Sequence, residues 1–429
     1  MNRSHALGAV AAEPRRRVAG LAVAVGPAAV ESVTALLRAD AAFETNLYVG
    51  RHEGRLQVGV PVADAAVGQA GGPPGLYRTR LGPVMLALDG QLSNAELLRE
   101  ELEERGALFS SDAHAELLLH LLAVSDQKTL VNRVVDALLR VEGGVAAAIL
   151  TGDHLLLARD PWGLRPLLLG RHLGGWIVGS DWGKLARIGA EVLREVDPGE
   201  LLIIDPDRVE SLRPLPRRQR QSCALELLDL ACPTALVAGH EARAARVRAG
   251  EILARELPVR ADVVVPMPPQ GEAAALGFAR VLGVPFDPAL LSGTPPAVVR
   301  SAVYGQRVVV VDSLLLVGQE LAAAVRAIRA AGAAEVHVRI AAPAAVDACR
   351  FGVDLGDRNE LTGVRYDPAR ARAWLDADSL GWMSPEGLRE LLGSEAARSC
   401  VGCLTGHFVL EQRARRGAAQ LPLFSARSG

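Results

Sequence analysis

The chain alternates short apolar runs with polar, turn-forming segments, and the rhythm changes near its middle. From Val18 to about Asp205 the runs "LAVAVG", "GPVMLAL", "GVAAAIL", "HLLLAR", "GWIVGS" and "ELLIID" have the length and boundaries of sheet strands. Between them "NAELLREELEERG" and "HAELLLHLLAVS" place apolar residues at helical spacing, and "ESVTALLRA" predicts an amphipathic helix after the first strand. Strands packed with helices predict a layered α+β domain. The second half runs helix "ARAARVRAGEILAREL", strand "ADVVVPMP", helix "GEAAALGFARVLG", strand from Val308, helix "GQELAAAVRAIRAAG", strand "EVHVRIAAP". That order is the pattern of a doubly wound parallel sheet. A short helical region is expected from Asp376 to Leu392, then the pair "CVGC" and a polar, basic tail from about Glu411.

Single cores rarely grow past about 250–300 residues, so 429 residues imply two or three domains. Half the residues are hydrophobic, with 43 Gly and 25 Pro as punctuation, which describes a folded chain rather than a disordered one. A formal net charge of -2 gives no global basic field, so direct nucleic-acid binding is not expected. Basic residues before an apolar run make "RRRVAGLAVAVGPAAV" imitate a signal peptide, but Gly26-Pro27 breaks the run early, and a first core strand is the preferred reading. No run approaches the ~20 apolar residues of a membrane span. All five cysteines lie from Cys223 onward, unlike an evenly spread disulfide framework, and a cytoplasmic location is expected.

The run Val308–Val311 ends at Asp312, where a parallel strand usually presents a ligand loop. After Asp312 the chain continues with Ser313, three leucines, Val317, Gly318, Gln319 and Glu320, although a phosphate cradle needs small residues, hydroxyls and free amides. Around this loop the chain resembles the glutamine amidophosphoribosyltransferase family across nearly its whole length. The resemblance rests on "ARDPWGLRPLLLG" (Ala158 to Gly170), "EVDPGELLIID" (Glu195 to Asp205), "CALELLDLACP" (Cys223 to Pro233) and "ADSLGWMSPEGL" (Ala377 to Leu388), with support from "GQLSNAELLREELEERGALF" and "GAAEVHVRIAAP". It implies an N-terminal nucleophile hydrolase-like αββα sandwich, which in the family releases ammonia from glutamine. A type I phosphoribosyltransferase-like parallel sheet, which adds the ammonia to phosphoribosyl pyrophosphate, would come next. The implied organisation is an extension (1–17), a class II glutamine amidotransferase-like domain (18–212), a connector (213–234), a phosphoribosyltransferase-like domain (235–365), a helical and cluster-binding segment (366–408) and a flexible tail (409–429).

Set against the family pattern, both reaction sites are degenerate. The glutaminase requires an N-terminal cysteine nucleophile; its place falls on Ala19, and no cysteine precedes Cys223. The oxyanion-stabilising Asn-Gly pair corresponds to Asp89 and Gly90, which puts a negative charge where an oxyanion must develop. The acid that holds the glutamine amine corresponds to His114, with Asp112 two residues away, and "VADAAVGQAGGPPG" lacks a clear carboxylate-gripping arginine. In the phosphoribosyl-pyrophosphate motif only Asp312 and Gly318 survive, Ser313 replaces the second acid, and Glu320 would face a phosphate with like charge. Pro269 in "PMPPQG" cannot donate an amide, and "TPPAVVRSAVY" stands where the family has a long closing loop. No magnesium dependence is expected.

Some family members carry a four-iron, four-sulfur cluster on four cysteines, and the resemblance implies Cys223, Cys349, Cys400 and Cys403 as its ligands. The Cys-x-x-Cys pair alone is weak evidence, since zinc and redox sites use the same spacing. Cys232 is expected in the core and His407 at the surface. In the tail, "QLPLF" resembles the peptide by which bacterial proteins dock on the DNA-polymerase sliding clamp, with Gln420, Leu421, Leu423 and Phe424 as anchors. The alternative is a tail strip packed on this protein.

The expectation is therefore a catalytically inactive amidophosphoribosyltransferase-like iron–sulfur protein with a binding, structural or regulatory role. It would act as a homo-oligomer, with an active relative, or through the sliding clamp, and without a membrane. The alternatives are an enzyme of altered chemistry using Asp312, Asp89 or His114, and a divergent amidophosphoribosyltransferase of purine biosynthesis.

Overall fold

The computed structural model describes residues 22–25, 56–58, 75–79, 82–150, 154–204 and 208–410. Ala19, the helix expected at "ESVTALLRA", residues 62–74 and the anchors Gln420, Leu421, Leu423 and Phe424 lie outside the described residues.

Strict alternation along the strand Gly82–Leu92 builds the first domain. Val84, Leu86 and Leu92 face one side, where they meet the helices Ala95–Glu104, His114–Val124 and Leu130–Arg140. Ala87 faces the other side, and with Ala146, Ala148, Leu155 and Leu157 it packs against Leu167, Leu169, Trp176 and Val178 of a second sheet. The first sheet is ordered Val209–Leu212, Leu201–Ile204, Leu155–Arg159, Gly143–Leu150, Gly82–Leu92, Gly75–Thr79. The second is ordered Leu56–Val58, Ala22–Val25, Gly175–Gly179, Leu168–His172, Glu191–Glu195. Its far face carries Leu168 and Ile177, covered by Leu185 of the short helix Trp182–Arg187. The layers therefore run helix, sheet, sheet, helix.

The second domain is a parallel sheet ordered Val263–Pro266, Arg307–Asp312, Glu335–Ile340, Ser379–Trp382. Arg307–Asp312 is buried on both faces, Val309 and Val311 in one core and Val308 and Val310 in the other. This explains its unbroken apolar run. The segment Asp376–Leu392, read as helical, holds an edge strand, Ser379–Trp382, before the helix Pro385–Leu392. The neighbouring strand overrides the helical pattern: Asp378 accepts the Val336 amide at 2.7 Å, and a Cβ on Gly381 would come within 2.6 Å of Leu257. In place of a long closing loop the chain makes the hairpin Leu290–Leu291 with Ala297–Val298, then one helical turn, Arg300–Val303.

Candidate functional site

In the first domain the site is organised by "DPWGLRPL". The Asp160 carboxylate accepts the amides of Trp162, Gly163 and Leu164 at 2.9, 2.7 and 3.0 Å, and Arg159 donates to the Arg165 carbonyl at 2.7 Å. The tight turn sends Arg165 inward. There Arg165 grips Asp89 through Nη2 at 2.9 and 3.2 Å and through Nε at 3.2 Å, with both side chains 1% exposed. Glu226, from the second half of the chain, approaches Arg165 Nη1 at 3.5 Å. Burial alone would lower the Arg165 guanidinium, but the Asp89 and Glu226 carboxylates outweigh it and raise it. Asp89 therefore does not stand as an isolated charge. Arg165 and Glu226 carry no signal of their own in the sequence, although both lie inside the stretches that resemble the family.

Gly90 has φ of +124°, and a Cβ on it would stand 1.9 Å from the Gly144 carbonyl oxygen. Gly352 covers its other side: a Cβ there would lie 2.5 Å from the Gly90 Cα. His114 accepts the Leu92 amide on Nδ1 at 2.9 Å, which puts its proton on Nε2. Burial, and next the Arg99 charge, lower its pKa from 6.5 to about 4. The neutral ring offers no charge to an ammonium group.

The loop after Asp312 turns into the core. Leu314, Leu315 and Leu316 are 1%, 2% and 7% exposed. The Ser313 hydroxyl donates to the buried Asp229, and its amide donates to Asp312 Oδ1 at 2.7 Å. The buried Thr362 donates its amide to the Leu316 carbonyl at 2.7 Å and its hydroxyl to the Val317 carbonyl at 2.9 Å. Trp374, stacked on Tyr366 with ring centroids 5.7 Å apart, abuts Gly318. The three leucines fill the cores on the two faces of the strand, and Thr362 holds the carbonyls of Leu316 and Val317. Thr362 and Trp374 carry no local signal, because their role depends on a contact across more than forty residues.

The four cysteines are brought into one neighbourhood between the domains. Ser222–Cys223 pairs in parallel with Ser399–Cys400, placing Cys223 opposite Cys400. The Cys403 carbonyl accepts the amides of Val346 and Asp347 at 2.8 and 3.2 Å, tying the Cys349 loop to the Cys400–Cys403 turn. The Phe351 amide donates to Cys349 Sγ at 3.3 Å, and amides of Glu226, Gly402 and Val409 also point at the cysteine sulfurs. Burial pushes up the thiols of Cys223, Cys400 and Cys403, and their closeness to one another and to Cys349 raises them further. Leu164, Phe351 and Phe408 wall the site. Among the described residues no three His, Cys, Asp or Glu side chains converge to hold a single metal ion. A cluster of several irons spreads its thiolates more widely and needs no such convergence. Cys232 stands apart and half-buried against Gly183, and His407 is exposed.

Residues 65–187 match the family model of a glutamine amidotransferase domain. An amidophosphoribosyltransferase of Vigna aconitifolia chloroplasts is 35% identical over 365 residues, 80% of this chain and 75% of that protein. The Bacillus subtilis amidophosphoribosyltransferase is 32% identical over 363 residues, 79% of this chain and 76% of that protein. Against amidophosphoribosyltransferase 1 of Arabidopsis thaliana chloroplasts, at 35% identity, the match covers 79% of this chain but only 64% of that longer protein. Among solved structures, the Bacillus subtilis glutamine phosphoribosylpyrophosphate amidotransferase complexed with ADP and GMP superimposes with a TM-score of 0.82 at 28% identity, over 91% of this chain and 97% of that one. The two-sheet sandwich is thus of the N-terminal nucleophile hydrolase type and the parallel sheet of the type I phosphoribosyltransferase type. Matched in both sequence and fold across both domains, the chain belongs to the amidophosphoribosyltransferase family.

Proposed function

We propose that this member of the family has given up both half-reactions and serves as an iron–sulfur protein with a binding or regulatory role. The observation that carries the loss of transfer chemistry is the chemistry of the loop after Asp312, where Val317 precedes Gly318 and Glu320 stands in the first turn of the helix Gln319–Ala330. A 5'-phosphate brought to the start of the helix Gln319–Ala330 would meet the like charge of Glu320 in its first turn, an unfavourable arrangement in a partly buried site. Glutamine hydrolysis lacks its thiol nucleophile, because every cysteine lies at or beyond Cys223.

The cysteine quartet fits an iron–sulfur cluster. Buried thiols facing one another resist ionisation separately, and a cationic iron core relieves both the burial cost and the mutual repulsion. Cys223, Cys349, Cys400 and Cys403 would hold the cluster, and amide groups aimed at sulfur are a common means of tuning such sites. When bound, the cluster supplies a covalent tie between connector, sheet domain and C-terminal segment.

A divergent but working amidophosphoribosyltransferase is the second reading, favoured by the extent of identity with the Vigna and Bacillus enzymes. Two measurements on one anaerobic preparation separate the readings. Iron content and the visible spectrum, compared with a Cys400→Ser, Cys403→Ser variant, test the cluster. Pyrophosphate release from phosphoribosyl pyrophosphate with ammonia tests the transferase. Stoichiometric iron without turnover is expected, whereas turnover abolished by Asp312→Ala would overturn the proposal in favour of the second reading.

A further inference from the structure

We infer that Asp89 has become a positioning residue for the four-cysteine site: with Glu226, three residues past Cys223, it clamps Arg165 in the wall between the turn "DPWGLRPL" and the cysteines. The inference rests on the reading that the quartet holds iron.

Arg165 is among the largest fully buried side chains of the protein. An unpaired guanidinium in such a place would cost several kcal/mol, so partners must hold it. Asp89 grips it in two-pronged fashion from the first domain, and Glu226 approaches it from the other side. Glu226 lies three residues past Cys223, and its amide points at the Cys223 sulfur. On the opposite flank Gly352, three residues past Cys349, rests on Gly90, the neighbour of Asp89, and a Cβ on Gly90 would meet Arg165 Cγ at 3.1 Å. Cys223 and Cys349 are close enough to act on the guanidinium electrostatically. Asp89 therefore reaches the Cys223 sulfur through Arg165 and Glu226, and its neighbour Gly90 touches the loop that carries Cys349. An amide at position 89 could still donate or accept hydrogen bonds, but it would not supply the charge that fixes the guanidinium.

The electrostatic consequence has a definite sign. Asp89 adds negative charge near the cluster, so its removal makes it easier for the cluster to take up one electron from a reductant such as dithionite, with no protein bond made or broken. A residue that served packing alone would not move that equilibrium when replaced by its isostere.

The test compares wild type, Asp89→Asn and the double variant Asp89→Leu, Arg165→Met, all purified anaerobically. The double variant removes both charges together, so that neither is left buried alone. Iron per chain, thermal midpoint and reduction potential against dithionite with mediator dyes are measured on each. Asp89→Asn is expected to lower the thermal midpoint, because the buried guanidinium keeps only Glu226 as a charged partner, and to shift the potential of the iron it retains positive. The double variant is expected to fold but to lose most of its iron. Wild-type potential and wild-type iron in both folded variants would overturn the inference alone. A wild type without iron would overturn the cluster reading first, and this inference with it.

Discussion

The Trp374 ring occupies the space a side chain on Gly318 would need. A Cβ on Gly318 would stand 3.0 Å from the ring and 2.7 Å from Leu315 Cδ1, and Gly318 itself has φ of +84°. In a phosphate loop this glycine would leave room for a ligand, whereas here it leaves room for an indole. Gly318→Ala should therefore cost stability, about 1–3 kcal/mol from the left-handed backbone and the crowding together. Urea unfolding of the folded protein measures this directly. An alanine variant as stable as wild type would mean that the indole moves aside freely and does not seal the loop.

Where Gly352 meets Gly90, the two domains touch backbone to backbone. Gly352 has φ of +103°, and a Cβ on it would fall 2.5 Å from the Gly90 Cα. Backbone cannot swing away as a flexible side chain can, so Gly352→Ala must push the Cys349 loop off the first domain. It should lower the unfolding midpoint and, by displacing Cys349, reduce iron per chain. Trypsin cleavage in the connector 213–222 should also quicken. Cleavage and iron content both equal to wild type would show that the contact carries no weight.

The sequence exposed much of this architecture because its signals are local. The double-sided burial of Val308–Val311 is readable from an unbroken apolar run, and a layered α+β first domain from strand runs such as "GPVMLAL" between helical ones, whereas the αββα order is implied by the family resemblance. Ser379–Trp382 was not readable, since its strand character comes from pairing with Glu335–Ile340 rather than from its own residues. The same limit applies to the site. Asp89 alone looks like a misplaced charge, and only the fold brings Arg165, seventy-six positions away, into contact with it. The clasp of Thr362 on the phosphate loop is likewise a product of tertiary contact.

Cys232 provides an internal control for the cysteine site. A Cβ on Gly183 would be 2.2 Å from its sulfur, and its hydroxyl neighbour is Thr234 at 3.5 Å. It is held at the seam between the domains by packing rather than grouped with the other thiols. Cys232→Ser is expected to leave iron per chain unchanged, while Cys349→Ser lowers it. Equal losses in the two variants would mean that iron content tracks general stability, not ligation.

Acid should weaken the fold in two stages. His114 is held neutral, its pKa lowered from 6.5 to about 4 by burial and then by Arg99. Between those values the unfolded chain binds more protons than the folded one, so stability rises with pH and is lost as pH falls from about 6.5 through about 4. For Glu200, burial would push the carboxyl up, but Arg194, the Ser211 hydroxyl and the Asp197 amide bring it down from 4.5 to about 2. Its contribution is complete above about 4.5 and disappears as pH falls through about 2. The first stage belongs to histidine alone of these two groups, so His114→Asn, whose side-chain oxygen can still accept the Leu92 amide, should flatten the slope of unfolding free energy between neutrality and about pH 4.5. The second stage should survive in that variant. An unchanged slope in the first window would assign it to other groups and would leave His114 without the buried, neutral character derived from its geometry.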